Sequence, residues 1–295
     1  MGNDIKLIDR ASGNVIIETV MGNGALRFAY DTLLGHCLSG LLFNTSGLSG
    51  LLGKYYDSRL SRKDIPKLAS IPGCKVEEAE FSPDHYNCFN DFFIRRLKPG
   101  MRPFSAEQDI VSSPSDGRVL VYENLKSSSP VPVKGAQRTI SELCCGAGLP
   151  EELAVAVIRL APVDYHRFHF PCDCAQSAEP VVFNGKYHSV NPIAFKRVPD
   201  VYTENTRQIT ELDSAVFGKI FYLEVGAFGV GSIVQTSSVG NHAKMDEKGY
   251  FKFGGSTVIL VFDNAKVKFD DDLLKNSSEG METIIRCGER MASKR

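Results

Sequence analysis

The chain has 295 residues, 43% apolar and 23% charged, with a formal net charge of −1. That is ordinary for one large globular domain or two smaller ones. Near-neutrality excludes a global pull on nucleic acid or lipid, leaving only local patches, and no run of about 18 apolar residues predicts a membrane-spanning helix.

Residues 1–6 show neither the basic n-region nor the apolar h-region of a secretory leader. Lys6 occupies the position where Gly2-dependent myristoylation needs Ser or Thr, so no lipid anchor is expected. Ala11-Ser12-Gly13-Asn14 is a turn signal between two short apolar stretches and predicts a hairpin within residues 1–20. Over 25–43, Leu26, Tyr30, Leu33, Leu34, Cys37, Leu38, Leu41 and Leu42 share one face at helical spacing. A second apolar set follows at Leu48, Leu51, Leu52, Tyr55 and Tyr56. Packing on the core explains this helical hairpin most simply. The basic cluster Arg59, Arg62, Lys63 and Lys67 keeps open an interfacial anchor on anionic headgroups.

Residues 64–110 carry Pro66, Pro72, Pro83, Pro99 and Pro103 and read as linker-like around one ordered segment, 89–97. There Asn90 or Asp91 is placed to cap a short helix. Arg95, Arg96, Lys98 and Arg102 form a basic patch, either a solvated face or a phosphate contact. From 111 onward, strands are predicted at 118–122, 131–134, 154–160, 181–183, 220–225, 232–236 and 257–262, and helices at 140–145 and 278–292. The fold class is α+β: N-terminal amphipathic helices over 1–110, then a β-rich sandwich or barrel-like domain over 111–295.

Eight cysteines lie at 37, 74, 88, 144, 145, 172, 174 and 287. Their spacing completes no tetrahedral site, so no metal is expected, and reduced thiols are the expected state. Four stretches carry candidate chemistry. Asp116 sits in a Pro/Gly turn before a strand, where an aspartate commonly bonds its own backbone. His166 and His169 lie three apart in an aromatic segment bounded by prolines, able to act as base and proton donor or simply to be structural. Residues 224–233 are glycine-rich without being a P-loop, and suit anion binding or strand packing equally. In Gly254-Gly255-Ser256-Thr257 two glycines precede a hydroxyl residue and a β-branched run. Taken alone, that is a glycine turn entering a core strand. A Ser-His-Asp acyl hydrolase would want Gly-x-Ser-x-Gly, and no glycine follows Ser256.

Taken together, 89-FNDFF-93, 114-PSDG-117, 165-YHRFHFP-171 and 255-GST-257 resemble phosphatidylserine decarboxylase of the bacterial, self-cleaving type, over about 85–290. Ser115 stands where that family has alanine, a small change. The resemblance implies cleavage between Gly255 and Ser256, giving chains 1–255 and 256–295. Asp116 would orient His169, His169 would take the Ser256 hydroxyl proton, and Ser256 would attack the Gly255 carbonyl. The ester so formed would eliminate, and the resulting dehydroalanine would become a covalent pyruvoyl cofactor derived from Ser256. Phosphatidylserine would then bind through a Schiff base and lose CO₂ to give phosphatidylethanolamine, with His166 tied to this second stage. It further implies a peripheral position on the cytoplasmic face of an anionic membrane, through the helices of 25–56, and a homodimer; nucleic acid is not an expected partner. The alternatives are a Ser-His-Asp lipid acyl hydrolase, a non-catalytic lipid-binding module, and another pyruvoyl-dependent amino-acid decarboxylase.

Overall fold

A computed structural model describes residues 5–18, 46–133, 135–146, 148–195, 198–227, 232–254 and 256–295. The expected helix over 25–43 and Gly255 lie outside the described residues, as do 228–231 of the glycine-rich stretch. The first strands are β1 (Lys6–Asp9), β2 (Val15–Ile17), β3 (Ile110–Ser112), β4 (Gly117–Lys126), β5 (Glu152–Leu160) and β6 (Arg167–His169). Next come β7 (Cys174–Gln176), β8 (Val181–Phe183), β9 (Arg207–Ser214), β10 (Gly218–Gly226), β11 (Ile233–Gln235) and β12 (Gly240–His242). The last are β13 (Glu247–Phe251), β14 (Ser256–Asp263), β15 (Val267–Phe269), β16 (Glu282–Ile285) and β17 (Arg290–Lys294).

An 11-stranded sheet runs β12-β7-β9-β10-β14-β5-β4-β16-β1-β2, with β8 paired to β9. Two 3-stranded sheets, β11-β13-β6 and β15-β17-β3, complete the topology. One core joins Ile158, Tyr222, Val258 and Leu260 of the large sheet to Phe168 and Phe251 of one small sheet and Val111, Val267 and Met291 of the other. On the opposite face Val157, Leu223, Ile259 and Val261 pack against Ile140, Leu143, Val201 and Tyr202. The expected sandwich-like, α+β character is therefore present. β14 lies between β10 and β5, with Ser256 opposite both Gly226 and Leu160. Because both faces of β14 are covered, its sequence reads as a continuous apolar run rather than an alternation.

The N-terminal hairpin forms as expected, and β1 joins the large sheet in parallel with β16. The helix Ser46–Tyr56 covers the second apolar set. Residues 64–110 depart from the linker expectation. Ile65, Leu68, Tyr86, Phe89, Phe92 and Phe93 form a core with Ala161 and Val163, so the prolines punctuate packed turns. The helix Phe89–Phe93 is capped by Cys88, without a side-chain hydrogen bond. Asn90 instead lies within that helix, where its Oδ1 accepts from Phe253 N at 2.8 Å and its Nδ2 donates to Asp57 at 2.9 Å.

Three further expectations are corrected. The C-terminal helix is Asp271–Ser278, not 278–292; Gly280, at φ +71°, turns the chain into β16 and β17. Both segments pair as strands, β16 with β1 and β4 and β17 with β3 and β15, instead of forming a helical stripe. The strand expected at 131–134 is replaced by an isolated bridge, Pro130 to Thr139. The helix expected over 140–145 is shorter, Ile140–Leu143, and starts at a Thr139/Glu142 capping box.

Gly117 brings β4 against β5: a Cβ there would lie 2.7 Å from Ile158 Cγ2 and 2.8 Å from Arg159 O. Gly117→Ala is expected to cost about 1–3 kcal/mol through overpacking. Urea denaturation checks this as a lowered midpoint at unchanged slope.

Candidate active site

Ser256 is the first residue of β14 and is fully buried. Its hydroxyl hydrogen-bonds to no group among the described residues. Phe251 N donates to His166 O at 2.9 Å, tying the strand that leads towards Ser256 to the histidine segment. Phe253, between the two, packs edge-on against Phe93 at a centroid distance of 5.2 Å.

His166 also packs against Phe93, at 3.8 Å between ring centroids, and is fully buried. Its Nδ1–H donates to Asp164 O at 3.0 Å, since a carbonyl can only accept. That leaves the Nε2 lone pair buried and without a partner among the described residues. Burial pushes the His166 pKa down to about 3, so the ring is neutral near pH 7. The Asp164 turn is itself held by charge: Oδ2 accepts from Ala161 N at 2.6 Å and from Arg118. Arg118 also pairs with Glu18 at 2.7 Å.

His169 points elsewhere. It lines an open cleft of about 500 Å³ with Arg96, Lys98, Met101, Arg102, Phe104 and Tyr165. Its Nδ1–H donates to Met245 O at 2.9 Å, and its Nε2 accepts from the Tyr165 hydroxyl at 3.2 Å. Burial lowers the His169 pKa, opposed by the Met245 carbonyl and the Glu247 and Asp116 carboxylates. Met245, rather than Asp116, therefore orients the ring. Asp116 is gripped by Arg102, at 2.8 Å to Oδ1 and 2.5 Å to Oδ2, and accepts from Cys287 N at 2.9 Å. Its effect on His169 is through charge, not through a hydrogen bond.

The two histidines therefore diverge, as residues three apart on extended backbone do. Ser256 and His166 belong to the buried interior, while His169 belongs to the cleft beside Asp116. The basic patch expected at 95–102 also disperses. Arg95 is buried and donates to Val163 O at 2.9 Å, which removes it as a phosphate contact. Arg102 serves Asp116 and Glu78, and Arg96 and Lys98 remain exposed in the cleft. Gly226 is committed to β10 and pairs with Ser256. The sequence assigned no role to Tyr165 or Asp164 and put Arg102 in a basic patch rather than against Asp116. Asp164 and Tyr165 immediately precede His166, which was the available signal; nothing local connects Arg102 with Asp116. Among the described residues no group of His, Cys, Asp or Glu is disposed to hold a metal ion.

The family model for phosphatidylserine decarboxylase matches residues 89–293. A phosphatidylserine decarboxylase proenzyme of Clostridium botulinum (strain Langeland) is 40% identical over 295 residues, covering 99% of this chain and all of that protein. Proteins of the same name from Clostridium novyi and Ruminiclostridium cellulolyticum are 39% and 37% identical, over 98% of this chain and 99% and 97% of theirs. The chain belongs to the phosphatidylserine decarboxylase family, and its activity is that of a carboxy-lyase. The acyl-hydrolase alternative finds no support in these relatives.

The buried neutral histidine has a pH signature. A His pKa lowered by folding contributes stability that is present above the unfolded value of about 6.5 and is lost as pH falls from there towards the folded value. Stability of the chain is expected to drop from pH 6.5 towards 3, and His166→Gln should show a shallower drop. Urea melts at several pH values check the difference.

Proposed function

We propose that the chain is a proenzyme that cleaves itself between Gly255 and Ser256, and that the product decarboxylates phosphatidylserine to phosphatidylethanolamine. One observation carries this: a fully buried serine hydroxyl with no hydrogen-bond partner among the described residues, at the start of the central strand. Folding leaves such a group unpaired at a cost of about 1–3 kcal/mol, which a purely structural serine gives no reason to retain. Family membership supplies the reaction.

In the first stage His169 Nε2 is the base for the Ser256 hydroxyl. That lone pair now receives the Tyr165 O–H and faces the cleft rather than Ser256, so Tyr165 has to turn away and the His169 ring has to swing towards the start of β14 before the proton can move. Met245 keeps the ring in the tautomer with Nε2 unprotonated. Asp116, held by Arg102 and Cys287 N, favours the imidazolium through its charge. Attack of Oγ on the Gly255 carbonyl exchanges amide for ester, and elimination divides the chain into 1–255 and 256–295. β14 is paired on both edges, with β10 and β5, so the short chain stays in the sheet after the cut.

The buried, unpartnered groups around residue 256 suit a small polar prosthetic group made from Ser256 itself. A pyruvoyl group there supplies an electron sink for the pair left by departing CO₂. The second role falls to His166, whose neutral ring and Nε2 without a partner among the described residues support its holding or returning a proton at the substrate carbon. Phe93 and Phe253 wall that position from water.

The lipid is met at a membrane surface, by peripheral association with the anionic cytoplasmic face. Leu51 and Leu60 are 64% and 73% exposed beside Arg59, Arg62, Lys63 and Lys67, a pattern suited to an interface. No described helix is long and apolar enough to cross a membrane.

Three measurements test this: chain division, CO₂ release and vesicle flotation. His169→Ala is expected to leave the chain undivided. His166→Ala is expected to divide normally but to release CO₂ from phosphatidylserine about 10²–10⁴-fold more slowly. Normal turnover by His166→Ala contradicts its role. On anionic vesicles, the double change Leu51→Ser and Leu60→Ser should reduce flotation; undiminished flotation removes this surface from the membrane contact.

A further inference from the structure

Lys248 takes no part in the chemistry above, yet its side chain is fully inaccessible to solvent. It is the extra residue of a β-bulge. Glu247 pairs with His169 and Gly249 with Phe168, and the register of β13 on β6 shifts between them. A bulge leaves its extra residue out of the ladder and re-aims its side chain. Here Lys248 Nζ donates to Glu224 Oε1 at 2.6 Å, to Thr210 Oγ1 at 2.9 Å and to Gln235 Oε1 at 2.9 Å. Those three bonds use every proton of the ammonium. The ring of Tyr222 lies 4.9 Å from Nζ and that of Phe168 5.8 Å.

One side chain thus joins β13 to β9, β10 and β11, and so fastens the small sheet that carries His169 onto the large sheet that carries Ser256. Gly249 completes the device: a Cβ there would fall 2.3 Å from Val234 O and 2.7 Å from Phe168 Cζ, so no side chain is admitted beside the bulge. A buried ion pair of this kind is a poor source of stability, because apolar residues of similar volume commonly do as well or better. What it does provide is register. Slipping a strand by one residue turns every side chain to the other face. The register of β6 on β13 fixes where His169 stands, and β13 runs on through 252–254 towards Ser256. Glu224 lies on the same face of β10 as Gly226, which pairs with Ser256.

We propose that the Lys248–Glu224 pair is a positioning device for self-cleavage: it locks the bulge and so holds His169 in register with the segment that ends at Ser256. This rests on the self-cleavage mechanism given above.

The test follows division of the full chain with time after synthesis in vitro, alongside thermal melting of each variant. Glu224→Leu combined with Lys248→Met removes both charges and leaves neither unpaired. It is expected to melt no lower than the unaltered chain, yet to divide at least 10-fold more slowly. Thr210→Val, which removes one acceptor from Nζ and nearly preserves shape, is expected to slow division by a smaller factor. Should the double variant fail to fold, Thr210→Val decides. Division of a folded variant at the unaltered rate overturns the positioning role while leaving self-cleavage intact. An unaltered chain that never divides overturns the self-cleavage mechanism itself.

Discussion

A hydroxyl without a partner at the head of a fully buried strand is the constraint around which this molecule is arranged. Ser256 cannot relax towards solvent, because β14 is hydrogen-bonded on both edges and covered on both faces. Nor does a neighbouring carbonyl or side chain among the described residues satisfy it. The strand therefore fixes the position of a polar atom whose pairing is left open. That is the arrangement expected where strain or an unmet bond belongs to the chemistry and the surrounding fold bears the cost.

The loops beside that strand are held by buried charge rather than by apolar packing alone. Arg118 and Asp164 fasten the turn that presents His166, and Arg159 of β5 reaches across β4 to Glu282 of β16 and to Glu18, just beyond β2. Arg102 fastens Asp116, and Lys248 fastens the bulge next to His169. Each pair joins elements distant in sequence, where removing one partner would leave a buried charge uncompensated. The consequence for function is division of labour. One histidine is kept neutral and dry in the interior, and the other stands in a cleft where a carboxylate and a tyrosine hydroxyl modulate it.

How much of this could be read from the sequence follows from where each signal resides. The strands 154–160, 220–225 and 257–262 were legible because burial on both faces writes a continuous apolar run. β9 was not: Arg207, Gln208, Thr210 and Glu211 mask it, and Arg207 and Thr210 are buried by virtue of hydrogen bonds that only the fold supplies. The C-terminal strands read as a helix because the partners of β16, β4 and β1, lie far back in the chain, and β17 joins the distant β3 as well as the nearby β15. Around the site, Asp116, His166, His169 and Ser256 stood out through their motifs. Their relative placement did not. Extended backbone separates the two histidines, and Arg102 meets Asp116 only through folding. The loss of Arg95 as a phosphate contact has the same origin, since a basic residue in sequence carries no sign of burial.

The central claim is that Ser256 of the gene product is consumed in making the working enzyme. Intact-mass analysis of the purified full-length protein under denaturing conditions, with Edman degradation of the fragments, tests it most directly. The account expects two chains, 1–255 and 256–295, the shorter blocked at its N-terminus by a pyruvoyl group. A single undivided chain of 295 residues in a preparation that decarboxylates phosphatidylserine would contradict it.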